Sequence, residues 1–347
     1  MSTNIFQWPN AAVIAPNNFK YKSLSSWSFN TAVGCAHSCR FCYVPEVSTN
    51  RMGAKLATHG VTDPDAQWGD YVGVRDWNEQ AFLASLRKAE TTPASELKPD
   101  GNRAVMFCST TDPYQVLRGE LGIRHSALVT RALELIRDRS TLNVRILTRS
   151  PLAKRDFDVM RSFGQRLLFG MSLPTLNDRL ARIYEPHAPS PTQRLACLRA
   201  AKDAGLNIYV AVAPTYPECD AEDMRRTFES IAPLKPVTVF HEPINIRAEN
   251  VARIQAHARG IGQTVNVKPF ESRKAWLAYA IEALAEAQSA GADMKLPIHL
   301  WPDASMGSAV AIQMLHEITG GPPEEIRRWL ESWWNRISEW PNEKVQR

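Results

Sequence analysis

The stretch that decides the fold holds three of the six cysteines within eight residues. It reads Gly34-Cys35-Ala36-His37-Ser38-Cys39-Arg40-Phe41-Cys42-Tyr43, and we call residues 34–43 the cysteine loop. In a reducing cytosol, thiols clustered this closely indicate metal or redox chemistry rather than a disulfide framework. Three thiolates on one tight loop can ligate three irons of a [4Fe–4S] cube, which leaves the fourth iron open to another molecule.

A structural zinc site is the alternative interpretation of the same residues. It would use Cys39 and Cys42 with two ligands from elsewhere, such as His37 or Cys108. Zinc knuckles normally combine two C-x2-C units, whereas this chain has one. The spacing therefore favours the cluster.

Short apolar runs alternate with helical patterns on the C-terminal side of the cysteine loop. The predicted strands cover residues 28–33, 104–108, 143–148, 167–172, 207–212 and 237–241. They are rich in Val, Ile and Leu without two-residue alternation, which is typical of parallel strands covered on both faces. Repeated strand–helix units predict an α/β fold, and six units favour a partial (β/α)6 barrel of the TIM type over an open doubly wound sheet.

Two of the intervening helices have clear sequence signals. Residues 126–138 place Leu128, Ala132 and Leu135 on one apolar stripe. The run Ser190-Pro191-Thr192-Gln193 predicts an N-cap, a proline at the first helical position and a capping-box glutamine, and Gly205 is expected to end that helix.

The pattern changes near residues 26 and 261. We therefore expect an N-terminal extension (1–26), the barrel (27–261) and a mostly helical C-terminal region (262–347) packed on the barrel. The C-terminal region contains one short apolar run at 296–301 and ends in a tryptophan stripe made by Trp329, Trp333, Trp334 and Trp340. A helix docked on the barrel is favoured for that stripe over a base-stacking platform.

Length and composition indicate a globular protein. The 347 residues are 44% hydrophobic and 22% charged, which excludes wholesale disorder. A net charge of +5 is a mild bias without a concentrated basic run, so it is compatible with a polyanionic partner but does not establish one. Because there is neither a long apolar window nor a secretory signal at the N-terminus, we expect a cytoplasmic protein with no membrane association.

The chain resembles the radical S-adenosylmethionine (SAM) enzymes. Their signature, C-x3-C-x-(aromatic)-C, is matched by Cys35, Cys39, Phe41 and Cys42. It is further similar to the spore photoproduct lyase-like, or DNA repair photolyase, group over about residues 27–250. The segments that carry this likeness are residues 34–45, 109–115, 148–150, 185–191 and 243–246.

The resemblance implies a cofactor arrangement and a reaction. Cys35, Cys39 and Cys42 would hold a single [4Fe–4S] cluster, and SAM would bind its unique iron. One electron, from a partner such as flavodoxin or ferredoxin, would cleave SAM to methionine and a 5′-deoxyadenosyl radical that abstracts hydrogen from the substrate. The family fold is a partial (β/α)6 barrel, in agreement with the strand pattern.

Residues that follow the predicted strands are the SAM-binding candidates. By resemblance, the Ser109–Asp112 segment holds the SAM ammonium group, and Arg149 stands where a lysine commonly meets the SAM carboxylate. Ser172 follows the fourth strand, and Phe41 belongs to the signature. An ordinary turn at Asp112 and a surface cation at Arg149 are the alternatives.

Several further residues are candidates with equally plausible structural roles. Arg182, Glu185 and Arg194 lie around the loop of residues 185–191, where they would contact the cofactor or form ion pairs that stabilise the loop. His241 and Glu242 end the sixth predicted strand, so we expect them to point at the barrel mouth as candidate contacts for adenosine or substrate. The alternative is a hydrogen-bonded pair at a strand end.

Cys108 and Tyr43 are the catalytic candidates. Cys108 corresponds to the cysteine that gives a hydrogen atom to the product radical in the lyase, and Tyr43 matches a tyrosine in the suggested relay. The lyase has a second tyrosine where this chain has Phe41, which cannot relay hydrogen. A buried cysteine acting as a small apolar residue is the alternative for Cys108.

The substrate is the most open part of the prediction. A nucleic-acid lesion or base is one possibility, from the likeness and the mild basicity. A small molecule or peptide is the second, because one barrel supports many reactions through loop variation. The non-enzymatic alternative is a zinc-stabilised binding module.

Overall fold

The computed structural model describes residues 3–17, 25–97 and 102–335. The strands in these ranges are β1 (Asn4–Ala11), β2 (Ile14–Pro16), β3 (Trp27–Phe29), β4 (Ala32–Gly34), β5 (Tyr71–Asp76), β6 (Ala104–Phe107), β7 (Asn143–Thr148), β8 (Leu167–Ser172), β9 (Asn207–Thr215), β10 (Val239–Pro243) and β11 (Ile298–Leu300). The helices are α1 (Val44–Val47), α2 (Gly53–Ala57), α3 (Glu79–Glu90), α4 (Gly119–Arg139), α5 (Phe157–Arg161), α6 (Asp178–Tyr184), α7 (Pro191–Asp203), α8 (Ala221–Ile231), α9 (Asn250–Gly260), α10 (Arg273–Asp293), α11 (Ala309–Thr319) and α12 (Pro323–Trp334).

An eight-stranded sheet forms the body of the protein, in the order β11-β10-β9-β8-β7-β6-β3-β2. Every neighbouring pair from β3 to β11 is parallel, and β2 alone runs antiparallel to its neighbour in this sheet. Helices connect the parallel strands, so the predicted α/β class with a partial barrel is confirmed. The sheet also gains a strand, β11, from the region predicted to be mostly helical.

The first predicted strand is divided in two, which corrects the expectation of one strand over residues 28–33. β3 belongs to the eight-stranded sheet, whereas β4 pairs with β5 in a separate three-stranded sheet of order β1-β5-β4. The side chain of Asn30, between the two strands, accepts hydrogen bonds from the backbone and the hydroxyl of Thr110, both at 3.0 Å. The chain therefore leaves the barrel at Asn30, before it reaches the cysteines.

The small sheet fixes the start of the cysteine loop. Gly34 ends β4 at a φ of +87°, and a Cβ atom there would lie 2.4 Å from the backbone oxygen of Tyr71. Only glycine meets both conditions without strain. The N-terminal strand β1 pairs with β5, so residues predicted to form an extension help to support this turn.

Both faces of the large sheet are buried, as the apolar strands predict. Phe107 and Ile146 pack on the outer side with Leu128, Val129 and Ala132 of α4. On the inner side, a separate cluster joins Met106, Leu168, Tyr209, Phe240 and Trp301.

The predicted helices are present, although α4 begins earlier than expected, at Gly119 instead of residue 126. The capping box of α7 is confirmed. The Gln193 amide donates to Ser190 Oγ at 3.3 Å, and the Ser190 amide donates to Gln193 Oε1 at 3.0 Å.

In the C-terminal region, α10 packs beside β10 and β11, and the Trp276 Nε1–H donates to the carbonyl oxygen of Ile244 at 2.9 Å. Trp333 of α12 is buried in the main core, with Trp329 and Trp334 packed against that core. Trp340 lies outside the described residues, and the division at residues 26 and 261 stays a prediction. Within the described ranges, no helix has the length and apolar character needed to span a bilayer.

Candidate active site

A cavity of about 520 Å³ lies at the C-terminal ends of the parallel strands, where barrel active sites gather. Residues at or just after six of these strands line it: Cys108, Arg149, Ser172, Ala213, Glu242 and Trp301. One end, the cysteine end, is formed by the cysteine loop. The opposite end, which we call the tryptophan end, is lined by Trp301, Trp333 and Trp334.

All three clustered thiols line the cavity. Cys35 and Cys39 are buried, Cys42 is half-buried, and none forms a disulfide. Burial raises the pKa of Cys39 to about 12, and it raises the pKa of Cys35, which Asp112 and the other two thiols increase further. The thiols are therefore close enough to oppose one another's ionisation. A bound cation would favour the thiolate forms instead.

The three cysteines fit a [4Fe–4S] cube better than a single metal ion. In the part of the chain that the structure describes, no three His, Cys, Asp or Glu side chains are gathered closely enough to hold one metal ion. A [4Fe–4S] cube does not require that, because each thiolate bonds a different iron. Three sulfur donors on one wall of a cavity, with space beside them, fit a cube that has one open iron.

Asp112 connects the cysteine loop to two strand ends. Its carboxylate accepts hydrogen bonds from the Tyr114 amide (2.8 Å), Thr148 Oγ1 (2.7 Å) and the Arg149 amide (2.8 Å), and it lies 3.2 Å from His37 Nε2. Burial by itself would raise the pKa of Asp112, but these partners, led by His37, bring that pKa down to about 2. Asp112 is thus a buried carboxylate that holds the loop against β6 and β7.

Arg149 is held by a buried ion-pair network. One carboxylate oxygen of Glu185 accepts a hydrogen bond from Arg149 Nε at 2.5 Å. The other forms an ion pair with Arg194 Nη1 at 2.6 Å. Burial alone would raise the pKa of Glu185, but the two guanidiniums hold it below its usual value. The guanidinium of Arg149 also lies 5.5 Å from the ring centre of Phe41. The network carries one net positive charge beside the cysteine loop.

Arg194, one of the residues expected around the loop of residues 185–191, takes part in this network through Glu185. It is buried on α7 and donates to the carbonyl oxygens of Pro189 at 2.7 Å and Ser172 at 3.3 Å. The sequence contains a signal for it, because Arg194 falls on the apolar stripe of Leu195 and Leu198. A cation on a buried stripe requires an anionic partner.

Cys108 and Tyr43 face the same cavity, as the catalytic assignment requires. Cys108 has a left-handed backbone, with a φ of +61°, and its Sγ lies 3.3 Å from Thr31 Oγ1, which is in turn 2.8 Å from His125 Nε2. Burial raises the pKa of Cys108 to about 12. The Tyr43 hydroxyl donates to the carbonyl oxygen of Ser109, the next residue after Cys108, at 2.9 Å.

The remaining candidates divide into two groups. Phe41, Ser109 and Ser172 line the cavity, and Glu185 lies behind Arg149. The structure does not bring Arg182 or His241 to the cavity.

Arg182 is exposed on α6. His241 is fully buried within β10, where Nδ1 bonds the carbonyl oxygen of Val212 at 3.0 Å, and its neighbour Glu242 lines the cavity instead. Because successive strand side chains point to opposite faces, only one of two adjacent residues faces the cavity. The expectation that His241 faces the barrel mouth is therefore corrected.

Sequence comparison identifies relatives of the chain. Over 256 residues it is 30% identical to the uncharacterized protein ORF301 of Acidianus two-tailed virus, and the match covers 72% of this chain and 77% of the viral protein. The chain belongs to the ORF301 family. It is also 27% identical over 215 residues to the uncharacterized protein Rv2578c of Mycobacterium tuberculosis, covering 60% of this chain and 53% of that protein. No family model matches the chain.

Comparison with solved structures shows which fold this chain has. A mutant spore photoproduct lyase with bound AdoMet and dinucleoside spore photoproduct matches with a TM-score of 0.59 at 15% identity, covering 82% of this chain and 78% of the lyase. A second mutant of that lyase gives a TM-score of 0.60 at 13% identity, covering 84% and 80%. This protein therefore has the fold of spore photoproduct lyase. The resemblance to radical SAM enzymes is confirmed at the level of the fold.

Proposed function

We propose that this protein is a radical SAM enzyme that binds one [4Fe–4S] cluster through Cys35, Cys39 and Cys42. The observation that carries the proposal is the placement of all three thiols on one wall of a cavity at the C-terminal ends of the strands. When bound, the reduced cluster and SAM supply a 5′-deoxyadenosyl radical that abstracts hydrogen from the substrate. We assign SAM to the part of the cavity next to the cysteine loop.

The residues around that end of the cavity bind and orient the cofactor. Arg149, with its guanidinium fixed by Glu185, binds the SAM carboxylate as a charge-assisted hydrogen-bond donor. Ser109, Ser172 and the ring of Phe41 contribute the remaining contacts. Asp112 is already bonded to donors of the chain, so it acts chiefly by holding the cysteine loop in place.

Cys108 acts as a hydrogen-atom donor to the product radical. Its raised pKa keeps the thiol protonated at neutral pH, so a proton and an electron leave together as one hydrogen atom and a sulfur radical remains on Cys108. The Tyr43 hydroxyl, which lies beside Ser109, then gives its hydrogen atom to that sulfur, so the thiol is restored and the unpaired electron remains on the Tyr43 oxygen. Phe41 occupies the position of a further relay tyrosine and has no hydrogen to give.

A nucleic-acid lesion or base is the substrate class that we favour. One protein with this fold, spore photoproduct lyase, has been solved with a dinucleoside photoproduct bound. Trp301, Trp333 and Trp334 give the tryptophan end of the cavity an aromatic lining, which is compatible with a base in the adjacent space. A small molecule or peptide is the second candidate, because about 520 Å³ falls within the usual range of small-ligand pockets.

We further propose that flavodoxin or ferredoxin supplies the electron, and that the reaction takes place in the cytoplasm, where thiols stay reduced.

Anaerobic reconstitution tests the proposed function. We expect about four irons and four sulfides per chain, an EPR signal of the reduced protein that changes when SAM is added, and release of 5′-deoxyadenosine. Zinc without sulfide, and no SAM cleavage, would instead identify a zinc-stabilised binding module. Ultraviolet-damaged and undamaged oligonucleotides, compared as substrates, then separate the two substrate classes, since only a lesion-directed enzyme transforms the damaged strand.

A further inference from the structure

Helix α9 contacts the cysteine loop through its side chains. Three consecutive carbonyl oxygens of the loop accept hydrogen bonds from it. Arg253 donates from Nε to Arg40 at 3.2 Å and from Nη2 to Cys42 at 2.5 Å, and Asn250 donates from Nδ2 to Phe41 at 3.2 Å. The part of the loop that carries the second and third cysteines is therefore bonded residue by residue to one helix.

Both donors are buried and are themselves fixed by other bonds. Asn250 Nδ2 also donates to the carbonyl oxygen of Asn245 at 2.8 Å, and its Oδ1 accepts from the Arg247 amide at 3.2 Å. Arg253 forms a buried ion pair through Nη1 with Asp65, from the long segment between β4 and β5. The positions of both side chains are thus set independently of the cysteine loop.

The Arg253 guanidinium lies between Asp65 and the cysteine loop. Nη1 of Arg253 meets the Asp65 carboxylate, while Nη2 of the same guanidinium meets the carbonyl of Cys42. The positive end of the pair therefore faces the cysteines. Hydrogen bonds and charges outside the ligand shell are known to orient ligands and to set the reduction potential of iron–sulfur clusters.

We propose that Asn250 and Arg253 are positioning residues that hold the cysteine loop ready for the cluster, and that the buried Arg253 guanidinium raises the reduction potential of that cluster. The effect on the reduction potential rests on the proposed function, because it requires a cluster. A fixed cation favours the reduced cluster, which carries one more negative charge than the oxidised form.

Two substitutions at one position separate geometry from charge. Arg253→Gln removes the positive charge and the paired hydrogen bonds to the carbonyl oxygens of Arg40 and Cys42. Arg253→Lys keeps the charge but lacks the planar guanidinium that makes both bonds. Arg259→Gln is the matched control, because Arg259 is exposed on the same helix. The readouts are hydrogen exchange of the amides of residues 36–43 in cluster-free protein, iron and sulfide content, and the midpoint potential followed by EPR.

We expect faster loop exchange in Arg253→Gln, cluster affinity lowered by about 10–100-fold, and a more negative potential. Arg253→Lys should recover the potential but not the exchange protection, and Arg259→Gln should match the wild type in all three. The proposal would be overturned if Arg253→Gln equalled the wild type in hydrogen exchange of the loop, in iron content and in midpoint potential.

Further variants keep the test decisive. If Arg253→Gln fails to fold because Asp65 loses its partner, the double variant Asp65→Asn with Arg253→Gln removes both charges. Asn250→Ala leaves Arg253 in place and removes the bond to Phe41 together with those to Asn245 and Arg247. Loop exchange unchanged from the wild type in both would overturn the positioning role. Absence of a cluster in the wild type would refute the proposed function and the effect on potential, whereas exchange in the cluster-free protein still decides whether α9 holds the loop.

Discussion

The two ends of the cavity are stabilised in different ways. At the cysteine end, charged groups are buried and bonded to segments far away in the chain, as Asp112, Glu185 and Arg253 show. At the tryptophan end, Trp301 stacks on Phe240 with ring centres 4.2 Å apart. Buried ion pairs and hydrogen bonds hold the cysteine end in one arrangement, as a site for a charged cofactor requires. The tryptophan end is held by contacts between aromatic rings, which can shift more easily. Substitutions should therefore have larger effects at the cysteine end.

The largest expected effect is loss of the cluster from the cysteine end. Replacing Cys35, Cys39 or Cys42 by alanine removes one of the three ligands that we propose for the cluster, so iron and sulfide measured after reconstitution should fall to background. Cys197→Ala is the control, because this cysteine is buried on α7 and does not line the cavity. Full iron content in Cys35→Ala would contradict the ligand assignment.

The next effect is on stability and concerns the carboxylate behind Arg149. Glu185→Gln leaves the buried guanidinium of Arg194 and the partly buried one of Arg149 without their counter-charge, so the free energy of unfolding should fall by about 3–5 kcal/mol. Chemical denaturation measures it. Glu222→Gln removes the partner of Arg226 from an exposed pair on α8 and should cost under about 1 kcal/mol. Equal losses in the two variants would show that burial of the network is unimportant.

A smaller effect concerns pH at the cysteine end. Burial lowers the pKa of His125 from 6.5 to about 4, so the folded state keeps the neutral form while the unfolded state takes up a proton. Stability is fully present above pH 6.5 and is lost as the pH falls towards 4. Between pH 7 and pH 5 this amounts to about 2 kcal/mol. His125→Gln should flatten the dependence by that amount, and an unchanged slope would exclude His125 as its source.

The smallest effect is expected at the tryptophan end. A Cβ atom on Gly307 would lie 2.7 Å from the ring of Trp334, so Gly307→Ala must displace that ring. Packing can relax around such a shift, and we expect a loss of about 1 kcal/mol in unfolding free energy. Iron content and the pH dependence of stability should stay as in the wild type. A loss of iron would mean that the two ends are coupled.

The sequence predicts those features that depend on local spacing. The cysteine loop, the parallel strands and the α7 cap each lie within a few consecutive residues. Asp112 and Arg149 follow predicted barrel strands, whose C-terminal ends converge at one end of the sheet, and the resemblance to radical SAM enzymes implies their roles. The roles of the predicted cofactor and catalytic residues stay predictions.

The features that the sequence did not predict depend on distant partners or on strand phase. Arg253 is bonded to a residue 211 positions away, and no local pattern indicates such a contact. Whether His241 or Glu242 faces the cavity depends on the phase of β10, which an apolar strand without alternation does not reveal. Likewise, the break at Asn30 is caused by pairing with β5, which comes about forty residues later in the chain.

The distance between Arg253 and the carbonyl of Cys42 also imposes an order on synthesis. A ribosome adds about 5–20 residues per second, so about 10–40 s separate the translation of these two residues, which are 211 positions apart. The three thiols emerge from the ribosome without the helix that holds their loop. Loading of the proposed cluster into a finished site would therefore follow translation of α9, and until then the nascent thiols are open to oxidants and competing metals.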